Sequence, residues 1–443
     1  MRAFNRFLLA GTSHLAILVM GAGGAWADWE AAQTNPTSPV AGPVTGLNAA
    51  NGTDGTAAIG EDPAVNGTHG NSSAGILVTN SNASLTVSSG SVTGGIGGNG
   101  GAGAGNGSIG GDGGSSVGIM VIGQNAQITV RSGATVSGGT AGAKGSGGLY
   151  DGGSYGVRVE GANTSVTVES NATLTANGTG VSVANGLYLQ AANVTVVNRG
   201  TITSASNQNS QTGALGMGDQ NSNATITNYG SIIGNGTSAV DNWSGTASLT
   251  NASGGVIEGR TAIHAGPTGS LTLVNNGTIR ATGNETAISL SDSTQENSIT
   301  NNGTIIGDIQ LGVVSGSDHL VYLNKGSTLT GSIYALQSGE GNVVVGNSGA
   351  GIVTLNGDIG DVGTPIHSLT VANGATLKFA QDSKIYAGGI SSSNGMTFDF
   401  DTSRIEYHYY SSVGYTETDS GAGYFKTTIN ANTRKHGYIV VFA

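Results

Sequence analysis

A short phrase recurs through the second half of this chain: an apolar-Thr-apolar strand, then Asn, one residue, Gly, a hydroxyl residue and Ile. It occurs at Val194-Thr195-Val196 leading to Asn198, Gly200 and Ile202, and again around Asn228/Gly230/Ile232, Asn275/Gly277/Ile279 and Asn301/Gly303/Ile305. A unit repeated about every 20–30 residues cannot bury its own apolar face and gains a core only by stacking on its neighbours. The repeat therefore constrains the chain to a solenoid.

A second strand precedes each phrase, usually opened by a small residue, as in Gly75-Ile76-Leu77-Val78, Gly118-Ile119-Met120-Val121, Gly156-Val157-Arg158-Val159 and Gly186-Leu187-Tyr188-Leu189. The spacing suits one coil of a three-sided structure, and alternation within Leu85-Thr86-Val87, Ile128-Thr129-Val130 and Leu271-Thr272-Leu273 turns the aliphatics inward and Thr outward. The expected fold is all-β, a right-handed parallel β-helix of roughly ten coils, about 50 Å long at about 4.8 Å per strand. Asn198, Asn228, Asn251, Asn275, Asn301 and Asn324 are expected at tight corners, in left-handed backbone with each amide bonded to the one above.

The ends differ from the middle. Residues 1–27 read as an export signal: Arg2 and Arg6, then a mostly apolar run from Phe7 to Met20, then Ala25-Trp26-Ala27, with the mature chain starting near Asp28. No later segment is apolar enough to span a bilayer as a helix. Cysteine is absent, so an exported fold holds together without disulfides. Residues 28–70 are polar, carry four of the six prolines and read as a leader or N-terminal cap; residues 71–380 are the β-helix. Residues 381–443 concentrate aromatics, among them Phe398, Phe400, Tyr407, Tyr409, Tyr410, Tyr415, Tyr424, Phe425, Tyr438 and Phe442, and read as a C-terminal β module. Two Gly-rich stretches, Gly94–Gly114 and Gly138–Gly153, read as loops extruded from one corner of the rod.

Chemistry is hard to find. A net charge of −11 with only 9 % charged residues excludes the clustered Lys and Arg that nucleic acid requires. The carboxylate pairs Asp399/Asp401 and Asp358/Asp361 are the candidates for polysaccharide cleavage, but one lies beside Phe398 and Phe400 and the other in a Gly-rich turn. No Gly-x-Ser-x-Gly elbow is present. His69, His264, His319, His367, His408 and His436 lack metal-ligand spacing and read as solvent-facing corner residues. Asp112 follows Gly110-Gly111, but the calcium nonapeptide does not repeat, and Asp151 stands alone. Outward hydroxyl pairs at Thr225/Thr227, Ser248/Thr250 and Ser298/Thr300 would suit a flat ice-binding array, which Val197 and Val274 break. No catalytic residue, cofactor-binding residue or metal ligand is assigned.

With the signal, the Asn-x-Gly-Thr/Ser-Ile coils from Asn198 to Leu329, and the segment Leu355-Asn356-Gly357-Asp358-Ile359-Gly360 running on to Leu369-Thr370-Val371 and Gly374-Ala375-Thr376-Leu377, the chain resembles the passenger domains of bacterial autotransporters, secreted by the type V route. It departs from them at the C-terminus, where about 60 residues follow Phe379 and a twelve-stranded outer-membrane barrel needs over 200. A separate outer-membrane translocator, a truncated gene product or a periplasmic chain would each account for that. The resemblance implies an exported, cell-surface or released rod of a Gram-negative bacterium, acting in adhesion or aggregation on host, matrix or bacterial ligands, protein or glycan. A β-helix polysaccharide lyase or glycoside hydrolase is the alternative.

Overall fold

The computed structural model describes residues 29–36, 39–56, 65–104, 108–177, 183–204, 213–218, 222–283, 286–312, 319–347, 349–379, 383–392, 397–400, 405–409 and 439–441. The expected signal at 1–27, with Asp28, Asp401, Tyr410, Tyr415, Tyr424, Phe425, His436, Tyr438 and Phe442, lies outside them. Among the described residues every regular element is a strand. The strands stack in parallel, coil upon coil, on three faces.

On the first face Ser72–Val78 lies on Ser116–Val121, then Gly153–Val159, Val183–Leu189 and Gly213–Met217. On the second, Ser84–Ser89 is followed by Gln127–Val130, Ser165–Val168, Val194–Asn198 and Asn223–Asn228. The first two faces merge where single strands, Ser238–Asn251 and Ile263–Asn275, run along both with a register shift at Asn242/Ser244. The third face holds 13 strands, one per coil. The described stack is thus longer than the roughly ten coils expected from the repeat, about 60 Å from first to last strand.

The extra coils come from both ends. Trp29–Thr34 pairs in parallel with Ser72–Val78, Val40–Ala41 with Ser84–Ser89, and Val44–Thr45 with Ser91–Thr93. The segment read as a leader or cap therefore contains the first coil. Its strands are short and its sequence polar, which hid the pattern. Past Phe379 the same stacks continue through Ile385–Ala387, Ile390–Ser392, Thr397–Phe400 and Ile405–Tyr409. Among the described residues the separate C-terminal module is a continuation of the helix, in which aromatic residues take over positions held elsewhere by Leu and Ile: Phe379 pairs in register with Leu355, and Phe400 with Phe379.

Alternation produces one aliphatic core. Leu85, Ile128, Val166, Val196, Ile226 and Leu249 follow one another in a single buried row of the second face. The neighbouring row begins Val87, Val130, Val168, changes to Asn198, Asn228, Asn251, Asn275 and Asn301, and returns to Leu323, Val345 and Val371. These five asparagines are 0 % exposed. Each Nδ2 donates to the next Oδ1, at 2.8, 2.8, 2.9 and 2.8 Å, and also to a carbonyl across the corner: Ser231, Val256, Thr278, Thr304 and Thr328 in turn. Asn198, Asn275 and Asn301 receive the N–H of Gly200, Gly277 and Gly303 on Oδ1. Full pairing is what lets a polar row sit in an apolar core.

The ladder expected from the sequence is therefore present from Asn198 to Asn301, with two corrections. Asn324 bonds instead to Asn302. The left-handed asparagines among the described residues are others: Asn35, Asn82, Asn125, Asn163 and Asn193, at φ between 48 and 59° where the chain turns from the first face to the second, and Asn171, at 61° where it turns from the second to the third. A ladder asparagine is the last residue of its strand, so its backbone is extended and its amide points inward.

Replacing Asn251 by Ala leaves one N–H of Asn228 Nδ2 and one lone pair of Asn275 Oδ1 without a partner in the core, although Asn228 keeps the Val256 carbonyl and Asn275 the Gly277 amide. At about 1–3 kcal/mol for each buried group left unpaired, urea unfolding is expected to show a loss of several kcal/mol. Asn276→Ala, at a position not in the buried row, is expected to lose less than about 0.5 kcal/mol.

Candidate functional site

Two regions depart from the plain coil, one at the corner that leads into the first face and one on that face. The larger is where the chain leaves the rod between the third face of one coil and the first face of the next, at residues 46–71, 94–115 and 138–152. These stretches do leave from one corner, as the sequence reading expected, but within the described residues they are not irregular loops. Each runs out and back, and the runs bond to one another with a period of three residues, that of a polyproline II helix.

Six consecutive amides show the rule. Gly97 and Gly100 donate to the carbonyls of Thr140 and Ala143 in the next coil, both at 2.8 Å. Gly98 and Gly101 donate across to Asn71 and Thr68, both at 2.9 Å. Asn99 and Ala102 donate to the side-chain oxygens of Asn51 and Asp54 in the preceding coil, both at 2.8 Å. No N–H in either triplet is wasted, which is why a segment without strands is ordered.

Glycine makes the approach possible. A Cβ on Gly98 or Gly101 would sit 1.8 Å from the carbonyl oxygen of Ala50 or Thr53, so neither position admits a side chain. The constraint is the one that puts Gly at the crowded axis of a collagen strand. The third residue of each triplet faces water: Ile96 and Asn99, then Thr140, Ala143 and Ser146. The extension carries Leu47, Val65, Ile96, Ile109, Leu149 and Tyr150, half of the large apolar side chains exposed on the described chain.

The roots of the extension are tied to the rod by serines. Ser116 and Ser154 each donate Oγ–H to a carbonyl, of Gly95 and Gly139 respectively, at 2.7 and 2.9 Å. Their oxygens also receive the N–H of Gly139 and Asn177. Asp112 and Asp151, weighed above as calcium ligands, act as caps: Asp112 Oδ1 receives the amides of Leu149 and Tyr150, and Asp151 Oδ1 that of Lys144.

The second region is an outward row on the first face: Arg158, Tyr188, Gly216, Asp241, His264 and Ser289 follow one another coil by coil. Arg158 lies against the stacked rings of Tyr155 and Tyr188, 5.3 and 5.9 Å from their centroids. It bonds to Glu160 at 2.6 Å and to Gln190 at 2.7 Å. Burial pushes the Tyr155 phenol up. Four coils along from Arg158, about 19 Å away, His264 sits between two carboxylates, Nδ1 at 2.8 Å from Asp241 and Nε2 at 3.5 Å from Asp292, with the Trp243 ring 6.0 Å off. Burial opposes the imidazolium, but the hydrogen bonds and charges of Asp241 and Asp292 outweigh it and hold the pKa at about 10. The hydrogen bond from His264, acting against burial, holds the Asp292 carboxyl below its ordinary range.

His264 is thus a half-buried strand residue, and His319 is 0 % exposed, both against the expectation of solvent-facing corners; His69 and His367 are exposed. A histidine on an alternating strand is outward by parity, and neighbours one coil to either side, Asp241 and Trp243 before it and Asp292 after it, cover it. The side chain of His408 lies outside the description, as does that of Asp399. Asp358 and Asp361 are not brought together on a groove: Asp358 Oδ1 receives the Lys384 amide and Asp361 Oδ1 that of Val362. The second face carries hydroxyl rows, with Val197 and Val274 falling in the row of Thr227 and Thr250.

Among the described residues no group of three or more His, Asp or Glu is placed to hold a metal, and no helix is long and apolar enough to cross a membrane, which says nothing of barrel strands. No protein-family model, curated protein or solved structure matches the chain. The arrangement itself offers an ordered backbone platform and an ion triad. A glycosidase needs one carboxyl kept protonated near neutral pH. The shift at Asp292 runs the opposite way.

Two outcomes follow. Gly101→Ala is expected to raise amide exchange at least tenfold across residues 94–102 while leaving the unfolding midpoint of the rod unchanged. The ring protons of His264 are expected to keep their imidazolium shifts through pH 8 in an NMR titration. Because its pKa is raised, the triad stabilises the fold fully below about pH 6.5, and that share is lost as pH rises towards 10; His264→Gln flattens this part of the stability profile.

Proposed function

We propose that the chain is an exported structural rod of the autotransporter-passenger type, displayed on or released from a Gram-negative outer membrane, and that it acts in adhesion or aggregation through the glycine-rich extension. The observation that carries this reading is the extension itself. The repeat is consumed by core and corners, whereas the extension stands off the rod, holds its backbone rigid by hydrogen bonds and exposes half of the surface-facing large apolar residues among the described ones. Exposed apolar groups on an ordered platform are the ordinary means of non-enzymatic contact. Partners of this kind are surface proteins or glycans of a host, a matrix or a neighbouring cell.

One observation favours a second reading, a polysaccharide lyase or glycoside hydrolase: Asp241, His264 and Asp292 meet on the outside of the rod beside Trp243. The first reading is preferred because the imidazolium occupies both carboxylates.

In cells expressing the chain, protease added outside is expected to remove it, and the Leu149→Ser/Tyr150→Ser double variant is expected to lower attachment or clumping at least fivefold. Asp241→Asn is expected to leave attachment unchanged. A chain protected until the outer membrane is opened contradicts display, and release of sugar ends by the purified protein, abolished by Asp241→Asn, replaces adhesion with the enzyme.

A further inference from the structure

The extension obeys one bonding rule, and its first strand leaves that rule half satisfied. Along residues 46–55, the N–H groups of Gly46, Ala49, Gly52 and Gly55 donate to the carbonyls of Thr93, Ile96, Asn99 and Ala102 at 2.7–2.8 Å. In return, the side-chain oxygens of Asn48, Asn51 and Asp54 receive the N–H of Ile96, Asn99 and Ala102 at 3.4, 2.8 and 2.8 Å. A strand of the second coil therefore turns both the N–H and the C=O of every third residue towards the first coil. The third coil repeats part of the pattern on the second, since the Ala143 amide donates to Asn99 Oδ1 at 2.9 Å and Gly97 and Gly100 donate to Thr140 and Ala143.

The residues of the first strand equivalent to Ile96, Asn99 and Ala102 are Asn48, Asn51 and Asp54. Their N–H and C=O groups face away from the second coil, the three residues are exposed, and among the described residues no donor or acceptor meets those backbone groups. Three donors and three acceptors are thus aligned at a three-residue period on an open edge. It is the polyproline-type counterpart of the unpaired edge strand to which extended peptides add in β-augmentation.

We propose that this edge is a docking site for an extended polypeptide of repeating Gly-x-Asn or Gly-x-Asp triplets, running parallel to residues 46–54. The partner's third-residue amides donate to the carbonyls of Asn48, Asn51 and Asp54. Its Asn or Asp side-chain oxygens accept the three amides in return. Small residues are required at the donating positions because the strands approach so closely, as they do at Gly46, Ala49, Gly52 and Gly55. The occupant is defined by the donor and acceptor pattern that the molecule itself places most fully on such an edge among the described residues, the sequence Gly46-Leu47-Asn48-Ala49-Ala50-Asn51-Gly52-Thr53-Asp54-Gly55.

The proposal builds on the reading of the extension as the contact surface, and its failure is distinguishable from a failure of that reading, which the Leu149/Tyr150 variant tests on cells. The test adds a blocked synthetic decapeptide with the sequence of residues 46–55 to the full chain and follows amide exchange by NMR. Asn48, Asn51 and Asp54 are expected to exchange freely in the chain alone and at least tenfold more slowly at millimolar peptide. The same peptide with N-methylglycine in place of its three glycines is expected to have no effect. Asn51→Pro, which keeps the three-residue backbone but removes one amide from the edge, is expected to weaken the peptide at least tenfold, and Asn51→Ala, which keeps the amide, to weaken it far less. If Asn51→Pro does not fold, the methylated peptide decides. Amides that stay fast with peptide present, amides already protected in the free chain, or equal action of the methylated peptide would each overturn the proposal.

Discussion

Everything in this molecule depends on hydrogen bonding from each coil to the next. A coil has no core of its own, and its polar backbone is satisfied only when a neighbour lies about 4.8 Å away in register. In the strands that bonding has a period of two, and alternation sends aliphatics inward. In the extension it has a period of three, and in the run from Gly94 to Gly101 glycine occupies the two positions of each triplet that face neighbouring runs. The same stacking therefore builds two unlike materials side by side, one with a greasy centre and one whose interior is backbone. Asparagine serves both, as a buried ladder from Asn198 to Asn301 in the rod and as an outward cap from Asn51 to Asn99 in the extension.

The rod was largely legible in the sequence because its period is local. Apolar-Thr-apolar triplets define faces, and a constant Asn-x-Gly fixes where the corner falls. The ends were less legible: Val40–Ala41 and Val44–Thr45 are too short to show alternation, and Thr397–Phe400 replaces aliphatics with aromatics. The glycine stretches could be placed but not interpreted. Their signal was present, since small residues recur every third position at Gly46, Ala49, Gly52 and Gly55 and at Gly94, Gly97, Gly100 and Gly103, but three-residue periodicity has no apolar moment to betray it. His264 illustrates a different limit. Asp241 and Asp292 are 23 and 28 positions away in sequence, so the triad exists only once the stacking register is known.

The charge pattern follows from this architecture. Long charged side chains would crowd flat, closely stacked faces, and the few that are used are neutralised locally, as Arg158 is by Glu160 and Arg280 by Glu258. Carboxylates mostly cap exposed amides, and this consumes Asp112, Asp151, Asp358 and Asp361, the residues that would otherwise look available for metal or catalysis.

The central claim is that the glycine-rich segments are ordered by the same coil-to-coil bonding as the rod. Residue-resolved amide exchange at Gly97 through Ala102 tests it most directly, because these six amides share almost no side-chain burial and differ only in their hydrogen-bond partners. The account predicts protection of all six, with Gly98 and Gly101, which bond across the two layers, at least as slow as Asn99 and Ala102, which bond to side chains. Exchange of all six at the rate of an unstructured peptide would contradict it.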